Sequence, residues 1–363
     1  MEKTKLIFVG GFLGAGKTTL LWKAAQQAMK QGLRVGLITN DQAPELVDSA
    51  LLSQEGLRVA EVSGSCFCCN FNGFTDAAQQ IRHETSADVI IAEPVGSCTD
   101  LSATILQPLK KIWNRDYEIA PLTVVADPER LTDILDGGRA ELHSDAAYIY
   151  RKQLEESDLI LITKTDCYPS MQVDELKQRT AEVFPFATVM AASALSGEGV
   201  GEWFGEVFNR SDAGKRLVSV DYDIYAHGEA VLGWLNGTVR LNGLKMDWYE
   251  WVGDYLHNLS ECFDSNNYPV GHVKVIAERD KQYIAGNLTG KLSTLSMRGA
   301  IEPCDAVQLT INARVETSPE TLDKIVNDTL SNSIKNRCKA KTVAWKYLTP
   351  GRPNPTHRFT EVV

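Results

Sequence analysis

The segment Gly11-Phe12-Leu13-Gly14-Ala15-Gly16-Lys17-Thr18 limits the folds open to this chain more than any other. It fits the phosphate-binding pattern G-x-x-x-x-G-K-[ST], and it lies between an apolar run, Leu6–Val9, and a helical pattern over Lys17–Lys30. In that setting a strand delivers the loop, glycines let backbone N–H groups turn toward phosphate oxygens, and the helix N-terminus adds its partial positive charge. The reading assigns Gly11, Gly14, Ala15, Gly16, Lys17, Thr18 and Thr19 to a nucleoside triphosphate. Lys17 reaches the β- and γ-phosphates, and the Thr18 hydroxyl ligates Mg²⁺. The bland alternative, a glycine turn that merely joins strand to helix, leaves the lysine and threonine unexplained.

The rest of the chain agrees with such a core. Gly32 stands where a helix C-terminal glycine belongs. Strands are predicted over Arg34–Thr39, Asp88–Ala92, Leu122–Ala126, Leu159–Thr163 and Ala187–Met190. Helical patterns fill most gaps, notably Ser144–Glu156 and Val173–Val183. Strands alternating with helices predict an α/β fold with a mainly parallel sheet, covered on both faces. The pattern changes at the polar stretch Ser211–Lys215. This divides the chain into a nucleotide-binding domain over 1–212 and a smaller α+β domain over 219–350. The second domain reads as strand Ala230–Arg240, helix Asp247–Cys262, strands His272–Ala277, Gln282–Ala285 and Ala306–Ala313, helix Pro319–Asn332 and strand Thr342–Leu348. A βαββαβ order of this kind predicts a ferredoxin-like sandwich.

Two segments speak to the base. Thr163-Lys164-Thr165-Asp166 closes a strand; the Asp166 carboxylate can accept from guanine N1–H and N2–H₂, a donor pair adenine lacks. Lys164 would lay its stem along the base. Farther on, Ser193-Ala194-Leu195 offers a backbone N–H to guanine O6. The order of these elements favours GTP over ATP. Two strand ends carry carboxylates toward the phosphate crevice. Asp41 is a Mg²⁺ ligand or a group that orients the attacking water, and Glu93 holds the Mg²⁺ water shell. Gly96, in Glu93-Pro94-Val95-Gly96, presents an N–H to the γ-phosphate. A solvated strand-end carboxylate is the plain alternative for both acids. No arginine finger or water-positioning glutamine can be named.

Fifty positions beyond the glycine loop stands Cys66-Phe67-Cys68-Cys69. On an extended segment Cys66 and Cys68 point to one side, and Cys69 joins them where the backbone turns, as Gly64, Asn70, Asn72 and Gly73 permit. Three thiolates suit Zn²⁺, Co²⁺, Ni²⁺ or Cu(I) and leave a coordination position open. The alternatives are small buried residues or a redox-sensing thiol cluster. Cys98, two residues past Gly96, is either a fourth ligand or a packed thiol. Cys167 packs near the base, and Cys262, Cys304 and Cys338 show no ligand spacing. His83 and His143 read as surface residues, His272 begins a strand, and Pro355–Arg358 has no derivable role.

Net charge is −10 with no basic run, which argues against nucleic-acid binding. No apolar run is long enough to cross a bilayer and no secretory signal opens the chain, so a cytoplasmic protein with reduced thiols is expected.

In order and type, the glycine loop, the C-x-C-C cluster, the E-x-x-G switch and the T-K-x-D element resemble those of CobW-like P-loop GTPases, relatives of the nickel chaperones UreG and HypB. The likeness covers about the first 210 residues; beyond them it is loose, resting on the βαββαβ order and Pro355–Arg358. It implies a GTP-hydrolysing metallochaperone whose metal positions are Cys66, Cys68 and Cys69, with GTP and GDP, Mg²⁺, and Zn²⁺, Co²⁺ or Ni²⁺ as ligands. A metalloprotein or corrinoid-protein client is implied as partner, and a homodimer stays open. Ser65 stands where the family has Gly, Asn40-Asp41-Gln42 is closer to UreG than to typical CobW members, and there is no His-rich linker. Competing readings are a P-loop small-molecule kinase, a chaperone for a corrinoid enzyme, and a GTP-binding metal or redox sensor with little turnover.

Overall fold

The computed structural model describes residues 3–40, 57–62, 66–138, 143–290 and 295–363. Eight strands form the first sheet: β1 (Thr4–Gly11), β2 (Val35–Thr39), β3 (Arg58–Glu61), β4 (Val89–Glu93), β5 (Tyr117–Ile119), β6 (Thr123–Ala126), β7 (Leu159–Ile162) and β8 (Thr188–Ala191). Their order is β3-β2-β4-β1-β6-β7-β8, with β5 also on β1, and the pairings are parallel. Strands β1, β2, β4, β6 and β7 are buried along their whole length, as apolar runs covered on both faces must be. Along β1 the side chains alternate: Leu6 and Phe8 enter one core, Ile7 and Val9 the other. The helices predicted at 17–30 and 144–156 occur with those bounds, and Gly32 follows the first at φ +85°. Helices Phe71–Thr85, Ser170–Val183 and Val200–Phe208 complete the cover.

The expected strand from Ala230 starts later. Residues Tyr222–Ala230 are a helix, because Asp221 caps it by accepting from the Asp223 and Ile224 amides. The strand, β9, runs Gly233–Met246. It is joined by β10 (Val270–Arg279), β11 (Gln282–Leu288), β12 (Ser296–Ala300), β13 (Cys304–Val315) and β14 (Cys338–Leu348) in an antiparallel sheet ordered β12-β11-β10-β13-β9-β14. The stretch β14-β9-β13-β10 has the βαββαβ pairing. An inserted hairpin, β11–β12, extends it at the β10 edge.

On this sheet Val273, Val275, Leu309, Ile311 and Ala313 pack with helices Trp248–Ser265 and Pro319–Ile334. The alternate residues, His272, Lys274, Asn312 and Arg314, therefore occupy the opposite face. That face is turned toward the glycine loop. Arg130 ties the two units: its guanidinium donates to the Leu13 carbonyl of the loop and to the Val270 and Gly271 carbonyls of β10, the latter at 3.0 and 2.9 Å.

Candidate functional site

The glycine loop folds as the sequence requires. Gly11, Gly14 and Gly16 have φ of +129°, +76° and +88°. Lys17 is buried and reaches back across the loop, donating to the Gly11 and Phe12 carbonyls at 2.7 and 3.1 Å. The Thr18 hydroxyl donates to Glu93 Oε1 at 3.1 Å, bringing together two oxygens of the kind Mg²⁺ prefers. Gly96 lies directly over the loop: a Cβ there would approach Leu13 Cδ2 at 2.7 Å and Lys17 Nζ at 3.1 Å. Asp41 lies outside the described residues.

At the base end, Thr163 Oγ1 donates to the Ala15 carbonyl at 2.8 Å, locking the T-K-x-D turn to the glycine loop. Lys164 sits at φ +55°. Ser193 donates its hydroxyl to Asp166 and accepts from the Ser196 amide at 3.0 Å, so the T-K-x-D turn and the Ser193–Leu195 segment are joined. Ala194 and Leu195 flank them, Leu195 exposed at the rim. Thr163, Lys164, Asp166, Ala194 and Leu195 line one cavity of about 970 Å³ together with Gly14, Gly16, Lys17, Thr18, Thr19, Glu93 and Gly96.

The cavity's other wall was not legible in the sequence. It is the polar face of the second sheet. Strand register sets two rows across it: His272 beside Arg314, and Asn287, Lys274 and Asn312 side by side. Arg298 of β12 also lines it. Among the described residues, the second sheet gives this wall cationic, imidazole and amide groups and no carboxylate. Arg314 is held by the Leu235 and Ala313 carbonyls and stacks 4.1 Å over Trp234, so it stiffens the wall. Thr289 seals the join: a Cβ on Gly14 would come within 2.5 Å of its methyl group. The available signal was His-x-Lys in β10 with Asn-x-Arg in β13, on faces that apolar alternation makes common.

The cysteines are not extended. Cys66 to Asn70 form a turn in which the Cys69 and Asn70 amides donate to the Cys66 carbonyl at 3.1 and 2.9 Å, and Asn70 then caps the next helix. The turn exists because Phe67 is fully buried against Phe74, ring centroids 4.8 Å apart. That burial stabilises by about 2–3 kcal/mol and turns the flanking sulfurs to one side. Cys66 and Cys68 Sγ are 3.0 Å apart, Cys68 and Cys69 Sγ 3.8 Å. Cys98 is fully buried beside the nest formed by the Cys66, Cys68 and Cys69 sulfurs, which lie within 4.8 Å of one another, and is near enough to act on Cys66 and Cys68. Hydrogen bonds from Cys68, Cys69 and Cys98 hold Cys66 far below the usual thiol range. The same bonds, with burial, push Cys68 up, and contact with Cys66 and burial push Cys69 and Cys98 up. Beside them Glu229 is pushed up to about 8 by burial, eased by the Ser97 hydroxyl, which donates to it at 2.6 Å, and pushed further up by the Cys66 charge. Such a nest holds one thiolate readily and more only when a cation enters.

Asn40 joins this nest to the nucleotide loop. Its amide N–H donates to the Glu93 carbonyl at 3.0 Å. Its side chain donates to the Val62 carbonyl at 2.7 Å and accepts from the Phe67 amide at 2.8 Å. The C-terminal segment closes the nest from outside. Asn354 N–H donates to Cys69 Sγ at 3.2 Å, Thr356 N–H to the Cys68 carbonyl at 2.8 Å, and Arg358 to buried Asp100 at 2.6 Å.

The CobW/HypB/UreG nucleotide-binding domain family matches residues 5–191, just over half the chain. A protein named zinc chaperone CobW from Sinorhizobium sp is 27% identical over 227 residues, covering 53% of this chain and 62% of that protein. The zinc chaperone YjiA of Escherichia coli strain K12 is 24% identical over 187 residues, covering 50% and 55%. The chain thus spans between half and two thirds of the length of these relatives. Among solved structures, Zn(II)-bound YjiA GTPase from E. coli aligns over 92% of this chain and 99% of its own, at 17% identity and TM-score 0.41. Among the described residues, no helix is long and apolar enough to cross a membrane.

Proposed function

Because this chain belongs to the CobW/HypB/UreG family, we propose that it is a GTP-hydrolysing metallochaperone whose cargo, zinc in the first instance, is held by Cys66, Cys68 and Cys69. The observation that carries this reading is the position of Asn40, bonded at once to the Glu93 backbone and to the amide between the first two cysteines. Cys98, buried beside the three sulfurs in the segment that follows Gly96, would supply a fourth ligand once GTP orders that segment. Residues 1–212 act as the GTPase unit and 219–350 as the unit that meets a client.

The roles follow from placement. The loop amides and Lys17 bind the β- and γ-phosphates, and Lys17 exchanges its two carbonyl partners for phosphate oxygens. Asp166, Lys164 and the Ser193–Leu195 segment select guanine. Thr18 and Glu93 would hold Mg²⁺, which would neutralise charge on the phosphate oxygens. The Gly96 N–H contacts the γ-phosphate, and Asp41 is assigned to water orientation. Lys274, centred in its amide row, supplies positive charge from the far wall. Loss of the γ-phosphate frees the Gly96 segment, withdraws Cys98 from the nest and loosens the metal for transfer.

The test is titration of Zn²⁺, Co²⁺ and Ni²⁺ into the protein bound to a non-hydrolysable GTP analogue and to GDP. At least tenfold tighter binding with the analogue is expected, with thiolate charge-transfer bands for Co²⁺ that disappear in the Cys66→Ala, Cys68→Ala, Cys69→Ala variant. Equal affinity in both nucleotide states would sink the reading. One observation favours a second reading: the 3.0 Å Cys66–Cys68 pair also suits a redox sensor. Thiol counting before and after mild oxidation, together with undetectable GTP turnover, would favour it.

A further inference from the structure

Outside the cysteine nest, three more metal-ligating side chains converge from two helices. His143 is the N-cap of helix Ser144–Glu156, accepting from the Asp145 amide at 3.2 Å, and Asp145 lies in that helix's first turn. His227 comes from the last turn of helix Tyr222–Ala230 and bonds through Nδ1 to the Asp145 carboxylate. One ligand atom from each of the three lies within 4.8 Å of the other two. The approach is built by the backbone: Gly228 rests on the Asp145 main chain, where a Cβ would collide with its carbonyl.

We propose that His143, Asp145 and His227 form a second divalent-metal site, of the two-imidazole, one-carboxylate class, separate from the cysteines. The chemistry suits Zn²⁺, Co²⁺ or Ni²⁺, and not the harder Mg²⁺ or Ca²⁺, nor Cu(I). The spacing suits a shared ion. With metal–nitrogen bonds of about 2.1 Å, two imidazoles on one tetrahedral ion put their ring centres roughly 5 Å apart. Here the ring centroids are 5.4 Å apart. A surface His–Asp ion pair accounts for His227 against Asp145, but not for the second imidazole turned onto the first. His227 is exposed, so the ion would keep water at its remaining positions and exchange readily. The helix that carries His227 also places Tyr225 and Glu229 behind the cysteine nest. A labile site on its outer side is suited to taking up the ion that the thiols then hold.

The experiment uses the full chain with Cys66, Cys68, Cys69 and Cys98 all changed to Ser. Zn²⁺ is titrated against a chromophoric chelator, and Co²⁺ is followed by its visible spectrum. Retention of one equivalent is expected, with weak d–d bands and no thiolate charge transfer. Adding His227→Gln, or His143→Asn, which keeps a helix-capping acceptor, should weaken that equivalent at least tenfold with an unchanged melting temperature. No retained equivalent, or one indifferent to both histidine changes, overturns the site. Failure of the cysteine reading is separately visible: the unmodified chain would then bind metal only through the histidines.

Discussion

Asn40 is a residue whose importance no sequence pattern announces. Its side-chain amide is the contact between the end of β2 and the cysteine turn, so Asn40→Ala should leave the Val62 carbonyl and Phe67 amide without it. A cost of about 1–3 kcal/mol is expected, from buried groups that lose a partner. The more telling outcome is functional: the ratio of metal affinities with GTP analogue and GDP should fall toward one while guanine-nucleotide affinity changes less than threefold. An undiminished ratio would remove Asn40 from the coupling. A second residue carries a pH signature. Glu156 is fully buried, accepts from the Ser102 amide and the Thr99 hydroxyl, and is pushed up to about 8 by that burial. An acid whose folded pKa exceeds its unfolded one stabilises fully below the unfolded value, about 4.3. That contribution is lost as pH rises through the folded value. Melting temperature should therefore fall between about pH 5 and 8, and Glu156→Gln should flatten that fall. The glycine loop, the T-K-x-D turn and the cysteines were legible because short patterns encode them locally. Asn40 and Glu156 were not, since each acts through partners that only tertiary contact supplies.

Elements show the same division. Apolar alternation predicted most strands of both sheets, and the helix–strand order predicted the ferredoxin-like core. Strand β11 was expected from Gln282, but helix Tyr222–Ala230 and strand β12 escaped, the first because only a few of its positions are buried, the second because short edge strands carry weak periodicity. What the second sheet is for was hidden too, since a polar face reads as solvent-facing until something is set opposite it. Lys274→Met tests that face. It keeps the stem and removes the charge, so affinity for a GTP analogue should drop about tenfold, near 1.4 kcal/mol. Affinity for GDP should change less than twofold, since the role proposed for this charge is to meet the terminal phosphate. Equal losses for both nucleotides would place the lysine elsewhere in the cavity. The C-terminal segment makes a further prediction. Arg358→Ala leaves the buried Asp100 carboxylate with the Tyr222 hydroxyl, which donates to it at 2.8 Å, and it should free Asn354–Thr356 from the cysteine turn. Transfer of bound Zn²⁺ to a chelator should then accelerate severalfold, and an unchanged rate would show that the strap does not gate the nest.

At the scale of the whole molecule, one nucleotide cavity is walled by two sheets, with Tyr225, Leu232 and Trp234 of the second unit packed into the core of the first, so the angle between the sheets decides whether the cavity is closed. Arg130 helps to fix that angle, because its guanidinium spans the glycine loop and β10 with bonds only to main-chain carbonyls. Carbonyls do not move without their strands, so the contact transmits position, and Phe12 beneath the guanidinium limits its swing. Lysine at this site keeps the charge but lacks the planar fork, so it cannot hold the loop and the strand together. Arg130→Lys should therefore loosen the join at the cavity while leaving the core packing in place. Each unit should keep its secondary structure by circular dichroism, while small-angle scattering of the nucleotide-free protein shows a larger radius of gyration. Saturating GTP analogue should restore the smaller value, since the triphosphate supplies an anion for the cationic wall to close on, and GDP should restore it less. A variant as compact as the parent in every state would mean that the join at Gly14 and Thr289 suffices, and that closure is built into the fold without the nucleotide's help.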